Sequence, residues 1–130
     1  MTQKAEALAC TCAHLADQHK AEDVIVLHVE PIAFFTDYFV IATGRNPRQI
    51  RAIAEEVRTR ARQLDRTVLG VEGEPEAGWV LIDIGGVIVH LFDPEARDLY
   101  DLELLWGEAD RTAWQESDPL GGPARTESRS

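Results

Sequence analysis

Two runs of six residues are almost entirely apolar and rich in β-branched or aromatic side chains, and they restrict the possible folds more than any other feature. They occupy residues 24–29 and 38–43. A strand that faces solvent on one side alternates apolar and polar residues, whereas a strand buried on both sides is apolar throughout. We therefore predict two buried strands in a sheet that other elements cover.

Three segments carry apolar residues at helical spacing, and we predict a helix for each. The first ends near Lys20. The second and third each begin with a capping residue followed by proline, Asn46 before Pro47 and Asp93 before Pro94. The predicted apolar stripe of the third helix consists of Leu99, Leu102, Leu105 and Trp106.

Further strands follow the second helix. Residues 67–72 read as a strand that leads into an acidic loop, and residues 79–83 and 87–92 read as a hairpin. Gly85 and Gly86 supply the positive φ that a tight primed turn requires. The predicted α/β fold is a mixed five-stranded sheet of order α-β-β-α-β-β-β-α in a domain of residues 1–114, followed by a disordered tail of residues 115–130.

The charge balance limits the possible partners. Thirteen basic and twenty-three acidic residues give a formal charge of −10. Phosphate backbones and anionic membranes repel such a chain, so any nucleic-acid contact is local, while a basic protein surface attracts it. Cys10 and Cys12 point apart on a helix, and no secretory signal or apolar span is recognisable. We expect a cytoplasmic protein without disulfides that does not contact a membrane.

Basic residues are concentrated in the second predicted helix. Arg45 and Arg48 flank its N-terminus, where free amide groups favour an anion, so phosphate or RNA contact is one hypothesis. A solvated helix face with a simple cap is the alternative. Seven of the thirteen basic residues lie in this segment, namely Arg45, Arg48, Arg51, Arg58, Arg60, Arg62 and Arg66.

Catalytic and metal-binding motifs are not found. No nucleophile elbow, phosphate-binding loop or dinucleotide fingerprint is present. Cys10 and His14 share a helix face, but no second pair completes a metal site, and we predict neither metal nor cofactor. Asp83 and His90 are predicted to form a structural hydrogen-bonded pair rather than an acid/base pair. An acidic loop that is either solvated or recruits a hard cation contains Glu72, Glu74 and Glu76.

Several blocks of sequence resemble the ribosomal silencing factors, the iojap-related RsfS family. They occupy residues 38–44, 48–54, 70–73, 78–83 and 87–92, and the similarity continues through Arg97, residues 100–103 and residues 105–107. The resemblance implies a non-catalytic factor that binds ribosomal protein number fourteen of the large ribosomal subunit. It also implies that this factor blocks docking of the small subunit and represses translation during starvation.

The resemblance further implies a sheet similar to that of nucleotidyltransferases. A nucleotide-binding or nucleotidyltransferase-like enzyme that uses the turn from Gly44 to Arg48 is therefore the alternative function. A homodimer is compatible with either function, because a second copy would cover an apolar sheet edge.

Matching positions give candidates for the partner-facing surface. Trp79 would supply buried apolar area, while Asp83 and Glu103 would accept charge-assisted hydrogen bonds from basic residues of the partner. Large aromatic residues such as Trp79 and Tyr100 are equally compatible with a core position. Gly86 departs from the family, which often has an acidic residue at this turn. The full set of candidates is Trp79, Asp83, His90, Tyr100 and Glu103.

Overall fold

The two buried runs form neighbouring strands inside a six-stranded sheet. The structure, a computed structural model, describes residues 2–31, 33 and 35–117, without the side chains of residues 2 and 3. The elements are α1 Thr2–Gln18, β1 Glu22–His28, β2 Tyr38–Thr43, α2 Pro47–Gln63, β3 Gly70–Glu74, the 3-10 helix η1 Pro75–Ala77, β4 Trp79–Asp83, β5 Val87–Phe92, α3 Pro94–Tyr100, α4 Leu102–Leu105, β6 Asp110–Arg111 and the 3-10 helix η2 Trp114–Glu116.

The strand order is β3-β4-β5-β2-β1-β6, and only the pair of β2 and β5 is parallel among these strands. The predicted mixed sheet is confirmed, but the predicted count of five strands was wrong. The additional strand, β6, has two residues and pairs Arg111 with Leu27 of β1. Backbone groups alone make this pairing, so it leaves no side-chain pattern in the sequence. The likeness to nucleotidyltransferases stays a prediction.

The predicted hairpin is confirmed as β4 and β5. Ile84 N donates to Val87 O at 3.0 Å, and the two glycines between them have φ values of 74° and 85°. Gly86 therefore occupies a conformation that residues with a side chain rarely adopt. The positive φ gives glycine a structural role at this position of the turn.

Two long helices cover one face of the sheet, which we call the closed face. Helix α2 begins as predicted, because Asn46 Oδ1 accepts from Gln49 N at 2.8 Å and Pro47 is the first helical residue. With α1 it buries a continuous apolar core against β4, β5 and β2. The residues that α2 contributes to this core are Ile50, Ile53, Ala54, Val57 and Ala61.

The other face, which we call the open face, is covered by two short helices in place of the single predicted one. The helix is interrupted at Asp101, which has a φ of 47° and lies between α3 and α4. The carboxylate of Asp101 caps α4. The predicted stripe was wrong in part, because Leu99 and Leu105 are 76% and 71% exposed. Only Leu102 and Trp106 pack against the sheet. The break places Leu99 and Leu105 on different helices, so the predicted single stripe does not form.

The segment after α4 runs back along β1. Thr112 N donates to Val26 O at 2.9 Å, and the indole of Trp114 donates to Val24 O at 3.0 Å. Residues 115–117 of the predicted tail lie in or directly after η2, and residues 118–130 lie outside the described part of the chain. None of the described helices is long and apolar enough to span a membrane.

Candidate partner-binding surface

Aromatic rings form a row across the open face. Trp79 contacts Tyr100 at a centroid distance of 6.2 Å, and Tyr100 stacks on Phe92 at 5.7 Å. The row continues through His90, which lies 4.9 Å from Phe39, to Trp106, which lies 5.3 Å from Phe39. We call this set the aromatic row, and its members are Trp79, Tyr100, Phe92, His90, Phe39 and Trp106. Its centre is buried. It reaches the surface at its Trp79 end, where Tyr100 is 53% exposed, and at its other end it adjoins Phe35, which is 57% exposed and lies 6.2 Å from the Trp106 ring.

A groove of about 550 Å³ lies at this exposed end, between η1, β4 and α3. We call it the α3 groove. Asp93 Oδ1 accepts from Ala96 N at 2.8 Å and so caps α3, whereas Glu95 and Asp98 form no ion pair with any described residue. The groove can hold the apolar stem of a lysine or arginine between aromatic walls and place its charge beside a carboxylate. Its principal lining residues are Trp79, Leu99, Tyr100, Asp93, Glu95 and Asp98.

Helix α4 is fastened to the sheet by a nearly buried arginine. Arg97 donates through Nη2 and Nε to the two carboxylate oxygens of Glu103 at 2.6 and 3.3 Å, and through Nη1 to Thr43 Oγ1 at 2.9 Å. Burial alone would raise the pKa of Glu103, but the hydrogen bonds and charge of Arg97 outweigh burial and lower it. Glu103 therefore positions α4 and is already paired, so it is not a free acceptor for a partner.

His90 lies inside the aromatic row and not at the surface. It is 8% exposed, and its Nε2 atom is buried without a hydrogen bond to any described residue. Burial lowers its pKa from 6.5 to about 4, so the ring is neutral at physiological pH. The predicted pair with Asp83 was wrong, because the hairpin register places Leu81 opposite His90 and Ile88 opposite Asp83.

Asp83 instead accepts from Gly85 N at 3.1 Å and supports the hairpin turn. It shares a face of β4 with Trp79, but four residues of extended strand place the two roughly 13 Å apart. Among the predicted candidates, the structure brings together Trp79 and Tyr100 at the surface. It does not bring Asp83 to the same place, and it buries His90.

Exposed leucines beside the groove are the principal residues that sequence reasoning missed. Leu99 lines the groove, and α4 exposes two further leucines, of which Leu104 is 78% exposed and Leu105 71%. Clusters of exposed large apolar side chains typically mark interaction surfaces. The helical spacing of Leu99 and Leu105 predicted that both belong to a buried stripe, and the structure exposes both of them.

The two arginines at the start of α2 differ in their surroundings. Arg45 forms an ion pair with Glu22, with Nη2 and Oε2 2.8 Å apart, whereas the side chain of Arg48 is exposed and has no hydrogen bond or ion pair with the described residues. An anion at this turn would compete with Glu22 for Arg45. Phosphate or RNA contact here stays a prediction.

The remaining candidate clusters have structural roles. His14 Nε2 lies 3.1 Å from Ser117 O and 3.0 Å from Ser117 Oγ, while burial raises the pKa of the Cys10 thiol. In the acidic loop, a hydrogen bond from Arg51 lowers the pKa of Glu76. Within the described part of the chain, no three His, Cys, Asp or Glu residues are placed to hold a metal ion.

Comparison with known proteins identifies the family. Residues 2–130 match the family model described as ribosomal silencing factor during starvation. The chain is 43% identical over 93 residues to the Bacillus subtilis ribosomal silencing factor RsfS, covering 72% of this chain and 79% of that protein. It is 34% identical over 95 residues to the mouse mitochondrial assembly of ribosomal large subunit protein 1, covering 71% of this chain and 42% of that protein.

A solved structure shares the fold. The crystal structure of a Chromobacterium violaceum protein superimposes with a TM-score of 0.73 at 33% sequence identity, covering 82% of this chain and 87% of that one. Sequence and fold thus agree on the same group of proteins. This chain belongs to the ribosomal silencing factor family.

Proposed function

We propose that this protein binds the large ribosomal subunit through its α3 groove, against a basic surface of ribosomal protein number fourteen. Once bound, its bulk blocks docking of the small subunit and represses translation in the cytoplasm. The observation that carries the proposal is the groove itself, in which aromatic and leucine side chains lie beside Glu95 and Asp98, which form no ion pair with the described residues. Steric blocking needs tight binding and no chemical step.

The chemistry of the groove favours a basic protein partner. Trp79 and Tyr100 are of the residue types that most often dominate binding energy at the centre of an interface. Glu95 and Asp98 provide complementary charge, and the net charge of −10 speeds encounter with a basic surface. These residues take over the accepting role first predicted for Asp83 and Glu103, which have partners within the fold.

The family supports a ribosomal partner. Its model is named for ribosomal silencing, a regulatory role, and the mouse relative is named for assembly of the mitochondrial large subunit. Both names are consistent with a surface that recognises the large subunit.

Co-sedimentation with isolated ribosomal subunits tests the proposal. We expect the wild-type protein to travel with large subunits only, and Trp79→Ala to lose binding while remaining folded, because the groove loses its largest apolar wall. A double variant, Glu95→Lys with Asp98→Lys, should also lose binding. Its matched control is Asp17→Lys with Glu116→Lys, which makes the same charge change at exposed positions on α1 and η2. Equal loss in both double variants would show a general charge effect and contradict the site.

A subunit-joining assay tests the consequence of binding. Large subunits are incubated with the protein before small subunits are added, and joined ribosomes are counted on a sucrose gradient. We expect fewer joined ribosomes with the wild type and no change with Trp79→Ala. Unimpaired joining at saturating wild-type protein would contradict the silencing mechanism even if binding is confirmed.

A homodimer is a separate and compatible proposal. Strand β3 pairs only with β4 among the described residues, and Leu69 and Val71 are exposed at this edge. A second copy could cover it. Light scattering that gives about 14.5 kDa at micromolar concentration would contradict a stable dimer.

A further inference from the structure

Helix α2 carries a row of arginines along one flank. The spacing of three, seven and four residues places them on one side of the helix, next to its buried stripe. Two members, Arg51 and Arg58, line a small depression with Val71 and Gly73 of β3, so this flank faces the β3 edge. We call the set the arginine row, and its members are Arg48, Arg51, Arg58 and Arg62.

Most members of the row have no partner within the fold. Arg51 forms an ion pair with Glu76 of η1. Among the described residues, none forms a hydrogen bond or ion pair with the side chains of Arg48, Arg58 or Arg62. The other three arginines of residues 45–66 differ, since Arg45 binds Glu22, Arg60 binds Gln63 and Arg66 binds the carbonyl oxygen of Gly85.

The C-terminal end of the row, at Arg58 and Arg62, suits phosphate better than protein. Arg58 and Arg62 line a depression of about 220 Å³ whose other lining residues are Glu55 and Thr59. It offers almost no apolar area to a protein partner, whereas arginine forms two parallel hydrogen bonds with phosphate. Residues 45–66 contain seven arginines and three acidic residues in a chain of net charge −10, so a polyanion can be attracted only locally.

The row also adjoins the α3 groove. Arg51 reaches Glu76 in η1, and the next residue of η1, Ala77, lines the groove. The three-residue helix η1 therefore separates the basic row from the acidic groove. A ribosomal protein held in the groove would lie beside whatever the row contacts, and the surface next to a ribosomal protein is commonly RNA.

We infer that the arginine row binds the phosphate backbone of ribosomal RNA beside the protein held in the α3 groove. This inference rests on the proposed function, because the groove brings the row to the ribosome. The groove selects the site and the row adds salt-dependent affinity without reading sequence. A protein of negative net charge can thus bind one ribonucleoprotein through two surfaces of opposite charge, an acidic groove that binds protein and a basic row that binds RNA.

The salt dependence of large-subunit binding tests the inference. Affinity is measured over a series of potassium chloride concentrations for wild type and for Arg58→Gln with Arg62→Gln. We expect weaker binding at low salt and a slope of log affinity against log salt that is smaller by about two, one for each lost phosphate contact. The matched control, Arg60→Gln with Arg66→Gln, makes the same charge change at arginines whose side chains already form hydrogen bonds within the fold, and its slope should stay close to that of wild type.

Photocrosslinking identifies what the row touches. Replacing Thr59, which lies in the depression between Arg58 and Arg62, with a photoreactive amino acid keeps both arginines. We expect a crosslink to large-subunit RNA that ribonuclease removes. A crosslink to a ribosomal protein would overturn the inference in favour of an acidic protein segment.

The outcomes separate this inference from the proposed function. If Trp79→Ala loses binding while the Arg58 and Arg62 double variant keeps wild-type affinity and slope, the RNA surface is wrong and the groove stands. If the wild-type protein does not sediment with large subunits at all, both fail. Thermal unfolding of the double variant confirms that any loss of binding is not a loss of fold.

Discussion

The two faces of the sheet are buried by different means. On the closed face, two 17-residue helices cover the strands with aliphatic side chains, and the large core residues are almost completely inaccessible. On the open face, helices of seven and four residues cover an aromatic row, and a partly buried ion pair fastens them. Leucines that would be core residues in a long helix are exposed there.

This difference separates stability from recognition. Long helices bury a wide apolar stripe and leave little apolar surface exposed for a partner. Short helices cannot bury all of their own apolar side chains, so some of these side chains stay exposed. The open face depends more on specific polar contacts, which hold the proposed binding surface in place. Substitutions on the closed face should therefore affect folding, and substitutions at the rim of the open face should affect binding.

The largest effect is expected on the closed face. Ile53 is fully buried, so Ile53→Ala should lower the free energy of unfolding by about 4 kcal/mol through lost transfer energy and a cavity. Urea unfolding followed by circular dichroism measures this. The matched control on the open face is Leu104→Ala, which should cost less than about 0.5 kcal/mol because the side chain is exposed. Similar losses of unfolding free energy in the two variants would contradict the predicted difference between the two faces.

A pH-dependent effect is expected inside the open face. The pKa of His90 is lowered to about 4 by burial, against about 6.5 in an unfolded chain. Between these values the unfolded state binds a proton that the folded state does not, so stability falls as the pH falls from 6.5 towards 4. This shift in pKa lowers the free energy of unfolding by roughly 3 kcal/mol in total as the pH falls.

The variant His90→Phe isolates this contribution. It removes the titrating group and should flatten the stability profile in that window, measured as the urea midpoint at successive pH values. Equal slopes for variant and wild type would show that His90 is hydrated in the folded state.

A smaller effect is expected from the ion pair that fastens α4. Arg97→Met leaves Glu103 and Thr43 without their partner. We expect this change to lower the free energy of unfolding by about 2 kcal/mol at neutral pH. The loss is smaller than for a fully buried pair because Glu103 is 30% exposed. The folded pKa of Glu103 is lowered, so this contribution is present above its unfolded pKa and disappears as the pH falls through the folded value. The difference in unfolding free energy between wild type and Arg97→Met should therefore become smaller at acidic pH.

The control for that substitution is an exposed pair. Arg45→Met breaks the ion pair with Glu22, whose side chains are both largely exposed, and should cost less than about 1 kcal/mol. If both variants lose equally little stability, the Arg97 pair does not fasten the open face. Large-subunit binding by Arg97→Met then shows whether the position of α4 matters to recognition.

Most of the secondary structure could be predicted because its signals are local. Asn46 followed by Pro47 marks the start of α2, and two glycines mark the hairpin turn, each within a few residues of the element that it shapes. The partner-facing role of the site residues stays a prediction. Trp79 and Tyr100 contact each other, but Asp83 and Glu103, which we expected to bind the partner, have hydrogen-bond partners within the fold.

The amino-acid pattern alone was sufficient to place the buried strand β2, the hairpin and the starts of α2 and α3, and to identify the family to which the chain belongs. The exposure of Leu99 and Leu105, the sixth strand and the partner of each arginine depend on the packed molecule. The physical reason is separation along the chain. Arg97 donates to Thr43, which lies 54 positions away in the sequence, and neither residue type predicts a contact with the other. Periodicity reports which side chains share a face, but only packing decides whether anything covers that face.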